Sequence, residues 1–205
     1  MSVLDQLASS LNFSGTEPNK ILARQIAADN NTEAIKELVA NLNNKAVQSD
    51  CIKVLYEAGE INPQLISGYA KNFIQLLESK NNRMQWGAMT ALDLITIENA
   101  ALVFNSLGKI IAIADKGSVI TKDHCVGILL KLSSIEKYNL DAFSLFIELL
   151  QDCPSNQVPM YAEQAIPVIN SENKTKFIRT LNDRIPEIEK DAKKKRVEKV
   201  IKNIS

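Results

Sequence analysis

Histidine and cysteine are scarce in this sequence, and the few glycines form no motif. The 205 residues contain one histidine and three widely separated cysteines, so the ligands of an ordinary zinc site are lacking. An odd number of dispersed cysteines also does not suggest a disulfide framework. The seven glycines fall singly, and no two have the spacing of a phosphate-binding loop before a helix. We therefore predict a non-enzymatic protein with no catalytic residues, no metal site and no cofactor.

The sequence also lacks an excess of charge of either sign and any long apolar run. It has 24 Lys and Arg against 24 Asp and Glu, a formal net charge of 0. Proteins that hold nucleic acid usually carry a basic excess, so we do not expect nucleic acid to be the partner. No apolar run approaches the roughly 20 residues that span a bilayer. The N-terminal residues MSVLDQLASSLNF lack the features of a signal peptide. We predict a cytoplasmic protein that does not bind membranes.

The sequence does contain a pattern that recurs every 37 residues. Counted from Met84, positions 0, 4, 7, 8 and 11 lie on one face of a helix, and they are mostly apolar or small in four registers. The four sets are Val47, Cys51, Val54, Leu55 and Ala58; Met84, Ala88, Ala91, Leu92 and Ile95; Thr121, Cys125, Ile128, Leu129 and Leu132; and Val158, Ala162, Ala165, Ile166 and Ile169. Four registers without an insertion predict a stacked helical repeat.

We predict an all-α protein with about five to six antiparallel helix pairs in a single domain, residues 1–205. Residues 31–170 form four in-register pairs, and residues 1–30 and 171–205 form less regular cap pairs, as terminal repeats often do. The apolar spacing predicts a helix over residues 2–12. Gly59 is expected to end the second helix of the first repeat, and one helix is expected to follow Pro63 as far as Leu77. Pro167 is expected to end the last in-register helix.

The second helix of each repeat resembles that of HEAT repeats, in the armadillo-like superfamily of α-solenoids. The resemblance rests on the pattern apolar-x-x-x-small-x-x-apolar-Leu, with Gln48 and Gln85 where that family often has arginine. Two helices fill 37 residues and leave no room for the third helix of an armadillo repeat. The likeness covers about residues 32–170. It implies an α-α superhelix that binds partners along a concave face lined by the second helices.

Positions 2, 6 and 9 of the second helices lie opposite the apolar stripe, at about 100° per residue, so we assign them to the concave face. This surface is expected to combine large apolar groups with a charged rim. Its members are Trp86, Tyr56, Leu130 and Met160, with Lys53, Asp93 and Asp123. Trp and Tyr are favoured anchors in interfaces, and exposed apolar patches usually mark contacts. We predict a groove here for a protein or peptide partner. The alternative is that Trp86 packs between repeats as part of the core.

The cysteines and the histidine have structural interpretations. Cys51 and Cys125 occupy position 4, where the other repeats have Ala88 and Ala162, so we interpret them as small buried groups. His124 adjoins Cys125, but sequence neighbours do not face each other on a helix, so a catalytic pair is not expected. Cys153 precedes Pro154 in a predicted hinge, where it could be exposed.

Two alternative functions remain open. Some bacterial DNA glycosylases are built from HEAT-like repeats and use tryptophans with an aspartate, and Trp86 and Asp93 lie two turns apart on one face. This sequence has one tryptophan, a different spacing and no row of arginines, so nucleic-acid binding or base repair is the second choice. Self-association through the solenoid ends is the third. The basic cluster Lys193–Arg196 is interleaved with acidic residues, which favours a solvated cap helix.

Overall fold

The computed structural model describes residues 2–204, and every regular element within that range is helical. The α-helices are α1 (Glu17–Ala28), α2 (Thr32–Ala40), α3 (Gln48–Ile61), α4 (Gln64–Ser67), α5 (Ala70–Leu76), α6 (Asn82–Leu94), α7 (Ala100–Asn105), α8 (Leu107–Lys116), α9 (Val119–Ser133), α10 (Asn139–Asp152), α11 (Val158–Ala165), α12 (Lys174–Arg184) and α13 (Asp191–Ile204). Short 3₁₀ helices occupy Val3–Gln6, Glu136–Tyr138, Ile166–Val168 and Ile185–Glu187. The predicted all-α class is confirmed.

The 37-residue pattern forms the buried face of α3, α6, α9 and α11. The position-4 residues Cys51, Ala88, Cys125 and Ala162 are all completely buried. The residues of the pattern that are not buried lie at its two ends. Val47 and Ile169 are half-buried, and Ile166 is exposed. The last two lie at Pro167, where α11 has already ended at Ala165. Proline ends this helix as predicted, since it cannot donate the next backbone hydrogen bond.

The chain divides into two compact units, Met1–Cys125 and Val126–Ser205, with the division inside α9. In the first unit α3 packs against both α1 and α6, and α6 also packs against α5. In the second unit α10 packs against α12, and α11 against α13. The single domain expected from the sequence remains a prediction.

The second unit has an aromatic core where α10 meets α12. The ring centroids of Phe143 and Phe146 lie 5.7 Å apart, and Phe177 of α12 lies 6.3 Å from the first and 6.2 Å from the second. All three side chains are buried. Such pairs stabilise a core by about 0.5–1.5 kcal/mol each beyond the area that they bury.

The predicted helix over residues 2–12 is wrong, because only Val3–Gln6 is helical there, as a 3₁₀ turn. The amide of Ala8 donates to Asn19 Oδ1 at 2.9 Å, and the amide of Ser9 donates to Asp50 Oδ2 at 2.8 Å. In an α-helix, each of these amides would instead donate to the backbone carbonyl four residues earlier. Side chains from α1 and α3 therefore take the hydrogen bonds of two amides that a helix would need, and the predicted α-helix does not form.

The first helices of the next two repeats are each split in two. The single helix expected from Pro63 to Leu77 appears as α4 and α5, separated at the exposed Gly68. Glycine is unfavourable inside a helix by about 1 kcal/mol relative to alanine. Likewise α7 and α8 meet at Ser106, whose hydroxyl donates to the carbonyl of Leu102 at 2.9 Å and so competes with the backbone. The expectation that 37 residues leave no room for a third helix is wrong.

Gly59 does not end α3, which continues to Ile61. A Cβ at Gly59 would collide with Cδ1 and Cγ1 of Ile66 in α4. This glycine therefore allows α3 and α4 to approach closely. The helix ends instead just before Asn62-Pro63, where the residue preceding proline is disfavoured in the helical conformation.

Candidate interaction site

Helix α6 presents Arg83 and Trp86 on one face, since residues three apart are neighbours on a helix. The helix begins where Asn81 caps it, with Asn81 Oδ1 accepting from the amide of Arg83 at 3.0 Å. Trp86 is half-buried, and Arg83 is exposed. Trp86 is therefore neither a free surface residue nor a fully packed core residue, and part of its indole remains available for contact.

Helix α3 supplies the buried side of the site. The ring of Tyr56 lies 5.6 Å from that of Trp86, centroid to centroid, with 55° between their planes. The ammonium of Lys53 lies 4.7 Å from the Tyr56 ring centroid, a cation–π distance. Lys53 also pairs with Glu57 one turn further along α3. These contacts cover Tyr56, which is only 7% exposed.

The burial of Tyr56 differs from its predicted outward position. In α3, α6 and α9 the position-5 residues Ile52, Met89 and Val126 are completely buried. Position 9 lies only about 40° from position 5 around a helix, so Tyr56 falls within the buried arc. Leu130, at position 9 of α9, is buried for the same reason. The second helices are thus buried over a wider arc than the apolar stripe indicated.

A pocket of about 200 Å³ opens beside Trp86. It is lined by Thr16, Ser49, Asp50, Lys53, Tyr56, Arg83 and Trp86. Pockets for drug-sized ligands measure roughly 300–1,000 Å³. This one has the scale of a single inserted side chain. The sequence had indicated three of its residues, Lys53, Tyr56 and Trp86. The sequence analysis did not identify Arg83, although Arg83 lies three residues before Trp86 and therefore on the same face of the helix.

The carboxylate and the ammonium group of this pocket already have partners. Both carboxylate oxygens of Asp50 accept hydrogen bonds, from the Ser9 amide and from Asn19 Nδ2, each at 2.8 Å. Burial alone would lower the pKa of Lys53, but hydrogen bonds to Glu57 and Tyr56 outweigh it, and the pKa is raised. Lys53 is therefore a cation.

The other two ionisable side chains that line the pocket are Tyr56 and Arg83. Burial raises the pKa of Tyr56 above its ordinary value, so its hydroxyl is neutral near pH 7. The guanidinium of Arg83 makes no hydrogen bond or ion pair within residues 2–204. Arg83 is therefore the cation in this pocket whose charge is not already matched.

The other predicted groove residues lie outside this pocket. Asp93 Oδ2 lies 2.7 Å from His124 Nδ1, an interaction that joins α6 to α9. Asp123 and Met160 are half-buried. Leu130 and Met160 belong to the second unit. The seven-residue groove remains a prediction, of which the pocket includes three members.

The cysteines lie in environments that suppress thiolate formation. Cys51 and Cys125 are completely buried, and burial raises the pKa of each thiol to about 12. Cys153 is also buried, although its hinge position had suggested exposure. Burial raises its pKa to about 11, with the Arg184 cation acting in the opposite direction. Arg184 Nη2 donates to the carbonyl of Cys153 at 2.6 Å and helps to hold it inside.

Two residues of the basic cluster on α13, Lys193 and Arg196, contact α11 and the segment before it. Arg196 binds both carboxylate oxygens of Glu163, at 2.8 and 2.5 Å. The hydrogen bond from Arg196 holds the pKa of Glu163 below its ordinary value. Lys193 donates to the carbonyl of Asn156 at 2.9 Å. These contacts attach α13 to its neighbours, and the cap pair over residues 171–205 remains a prediction.

No group of three or more His, Cys, Asp or Glu side chains is arranged to hold a metal ion within residues 2–204. Nor does any helix of the described chain combine the length and the apolar character needed to cross a bilayer.

Comparison with known proteins bears on the fold. No protein-family model matches the sequence, and no curated protein does. Among solved structures, a designed armadillo repeat protein matches with a TM-score of 0.62 at 14% identity, over 98% of this chain and 100% of that one. A crystal structure of an engineered protein matches with a TM-score of 0.59 at 19% identity, over 100% of this chain and 97% of that one.

These similarities define the class of fold. The chain has an armadillo/HEAT-like helical repeat fold, an α-solenoid, as the sequence had predicted.

Proposed function

We propose that this protein is a non-enzymatic interaction module that binds a protein or peptide partner at the pocket beside Trp86. The observation that carries the proposal is the half-buried Trp86, whose indole forms one wall of a pocket of about 200 Å³. Tryptophan is among the residues that most often dominate binding energy. Here it rests on Tyr56 at 5.6 Å, so it is held in place before a partner arrives, and less entropy is lost on binding.

Two finer parts of this proposal extend beyond the pocket. We propose that the pocket belongs to a concave binding face formed by the second helices, as the resemblance to HEAT repeats implies. We also propose that the protein acts in the cytoplasm without a cofactor. Against the base-repair alternative, Asp93 pairs with His124 at 2.7 Å and does not line the Trp86 pocket. The two residues on which that alternative depends therefore lie in different surroundings.

The proposal can be tested with Trp86 itself, the only tryptophan in the chain. Short random peptides displayed on phage are selected on the wild-type protein, and the enriched peptides are synthesised and titrated while the Trp86 emission is recorded. Peptides that bind at the pocket should shift this emission. Binding measured by calorimetry should weaken at least about tenfold in Trp86→Ala, since interface hot spots contribute about 2 kcal/mol or more.

Leu140→Ala is the matched control, because Leu140 is a large apolar residue that is 68% exposed in the other unit. It should bind the selected peptides as the wild type does. Circular dichroism establishes that each variant is folded, and Trp86→Phe retains an aromatic ring if alanine is not tolerated. Selected peptides that leave the emission unchanged and bind Trp86→Ala with undiminished affinity would place the binding site elsewhere and overturn the proposal.

A further inference from the structure

We infer that the Trp86 pocket receives a carboxylate-bearing side chain, so that the partner is an acidic peptide segment. This inference rests on the proposed function and adds the chemistry of the partner. It follows from which polar groups in the pocket are already matched and which are not.

The carboxylate that lines the pocket already accepts hydrogen bonds, whereas the guanidinium of Arg83 is free. Both oxygens of Asp50 accept hydrogen bonds at 2.8 Å from groups of the chain itself. Lys53 is matched by Glu57. The guanidinium of Arg83 carries five N–H donors, and none of them has a partner within residues 2–204. A ligand that completes this pocket therefore has to bring acceptors, and a carboxylate matches the planar fork of arginine with two parallel hydrogen bonds.

A basic side chain is disfavoured by the same arrangement. Tyr56 and Trp86 together could attract a cation through their ring faces. However, the ammonium of Lys53 already lies 4.7 Å from the Tyr56 ring centroid, and Arg83 adds a second positive charge to the rim. An inserted cation would be repelled by Arg83, and the Asp50 carboxylate that could attract it already accepts a hydrogen bond at each oxygen. The aromatic surface that remains on Trp86 can instead contact the methylene groups of an inserted Asp or Glu side chain.

A peptide fits the site better than a nucleic acid does. The volume of about 200 Å³ suits one side chain rather than a base with its sugar and phosphate. Nucleic-acid grooves neutralise several phosphates with clustered cations, whereas this pocket contains one unmatched cation and also includes Asp50. The whole chain carries a formal net charge of 0, which offers no general attraction for a polyanion.

The test uses the peptides selected on wild-type protein, together with versions in which each Glu is replaced by Gln and each Asp by Asn. We expect the selected peptides to be enriched in Asp and Glu relative to the unselected library. Removing the decisive carboxylate should weaken binding at least about tenfold, the scale of a charge-assisted hydrogen bond. Arg83→Gln should cause a similar loss for the acidic peptide, and almost no further loss for its amide version.

Lys80→Gln is the matched control, because Lys80 is an exposed cation just before α6 and does not line the pocket. It should change affinity less than about twofold, since isolated surface charges contribute little. Arg83→Lys keeps the charge without the planar fork and should fall between wild type and Arg83→Gln. That intermediate value would distinguish bidentate recognition from general electrostatic attraction.

The outcomes separate this inference from the function on which it rests. If neutral or basic peptides bind at Trp86 and Arg83→Gln leaves their affinity unchanged, the acidic partner is wrong while the interaction module stands. If no peptide of any charge perturbs Trp86, both proposals fail. If random single-stranded DNA binds at Trp86 with a steep dependence on salt and peptides do not, the partner is a nucleic acid instead.

Discussion

Gly87 of α6 lies so close to Ile52 of α3 that a Cβ at position 87 would come within 2.7 Å of Cγ1 of Ile52. Both residues are buried, Ile52 completely. The absence of a side chain at Gly87 therefore sets how closely these two second helices approach. The same close approach places the ring centroids of Tyr56 and Trp86 5.6 Å apart. The packing of α3 against α6 therefore also positions the candidate site.

Gly87→Ala should therefore destabilise the protein. Ile52 is β-branched and has little freedom to change its χ1 angle within a helix, so the clash has to be relieved by moving α6. Overpacking of this kind costs about 1–3 kcal/mol, more than the approximately 1 kcal/mol that alanine gains over glycine in helix propensity. Urea unfolding followed by Trp86 fluorescence and by circular dichroism measures the difference.

Gly108→Ala is the matched control for that substitution. Gly108 is an exposed residue of α8, and a Cβ there would meet nothing within 4 Å. Alanine should stabilise the protein by up to about 1 kcal/mol at this position. An increase in stability for both variants would mean that α3 and α6 have more room between them than the contact at Gly87 indicates.

Arg184 provides a second stability prediction, this time for the unit Val126–Ser205. Its guanidinium is buried and donates to the carbonyls of Leu150, Gln151 and Cys153 at the end of α10. The last carbonyls of a helix lack intrahelical partners, and a cation there also interacts favourably with the helix dipole. Arg184→Met keeps much of the apolar stem but leaves these carbonyls unmatched, at a cost of about 1.5–3 kcal/mol.

Hydrogen exchange of the α10 and α12 amides measures this effect within the unit concerned. Glu187→Gln supplies the control, because Glu187 also contacts Arg184, at 3.1 Å, but its side chain is 55% exposed. An exposed ion pair contributes about 0–1 kcal/mol. Equal effects of the two substitutions would show that the ion pair, rather than the carbonyl contacts, accounts for the role of Arg184.

The repeat could be predicted from the sequence because it depends on local periodicity. Cys51, Ala88, Cys125 and Ala162 share one position in a 37-residue register, and all are completely buried. No knowledge of tertiary contacts was needed to place them on the inner face. The burial of Tyr56 was missed because it depends on how far neighbouring helices wrap around α3, which a single stripe of apolar residues does not specify.

The specific polar contacts could not be predicted in the same way. Asn19 and Asp50 are 31 residues apart, and so are Asp93 and His124. Each pair joins different helices, and nothing in the local pattern distinguishes these side chains from solvated polar groups. Arg184 was missed for a related reason, since a single arginine in an amphipathic segment has the pattern of a surface residue. Its burial depends on the end of α10, more than 30 positions earlier.

Asn19 should hold the N-terminal segment against α1 and α3. It is completely buried, accepts from the amide of Ala8 at 2.9 Å, and donates to Asp50 at 2.8 Å. Asn19→Ala leaves the amide of Ala8 without its partner, which should cost about 1–3 kcal/mol. Limited proteolysis should then cut faster within residues 2–13. Asn43→Ala, at an exposed position, should leave the cleavage rate unchanged, and equal rates for all three proteins would contradict the proposed role.

The three cysteines should make the protein lose stability at alkaline pH. Burial raises the pKa of Cys51 and Cys125 to about 12 and that of Cys153 to about 11, whereas an unfolded thiol has a pKa of about 8.5. Above that value the unfolded state releases protons that the folded state retains, so the free energy of unfolding falls as pH rises. Below it, the contribution of the thiols is fully present.

The measurement is urea unfolding from pH 7 to 10 for the wild type and for a variant with Cys51, Cys125 and Cys153 all replaced by alanine. Alanine already occupies the position of Cys51 and Cys125 in the other two repeats, at Ala88 and Ala162, so the fold should tolerate it there. The lost packing, including that at Cys153, should lower stability at every pH. Lysines and tyrosines titrate in the same range in both proteins. The decline above about pH 8.5 should be steeper in the wild type, and parallel curves would mean that the thiols reach solvent in the folded state.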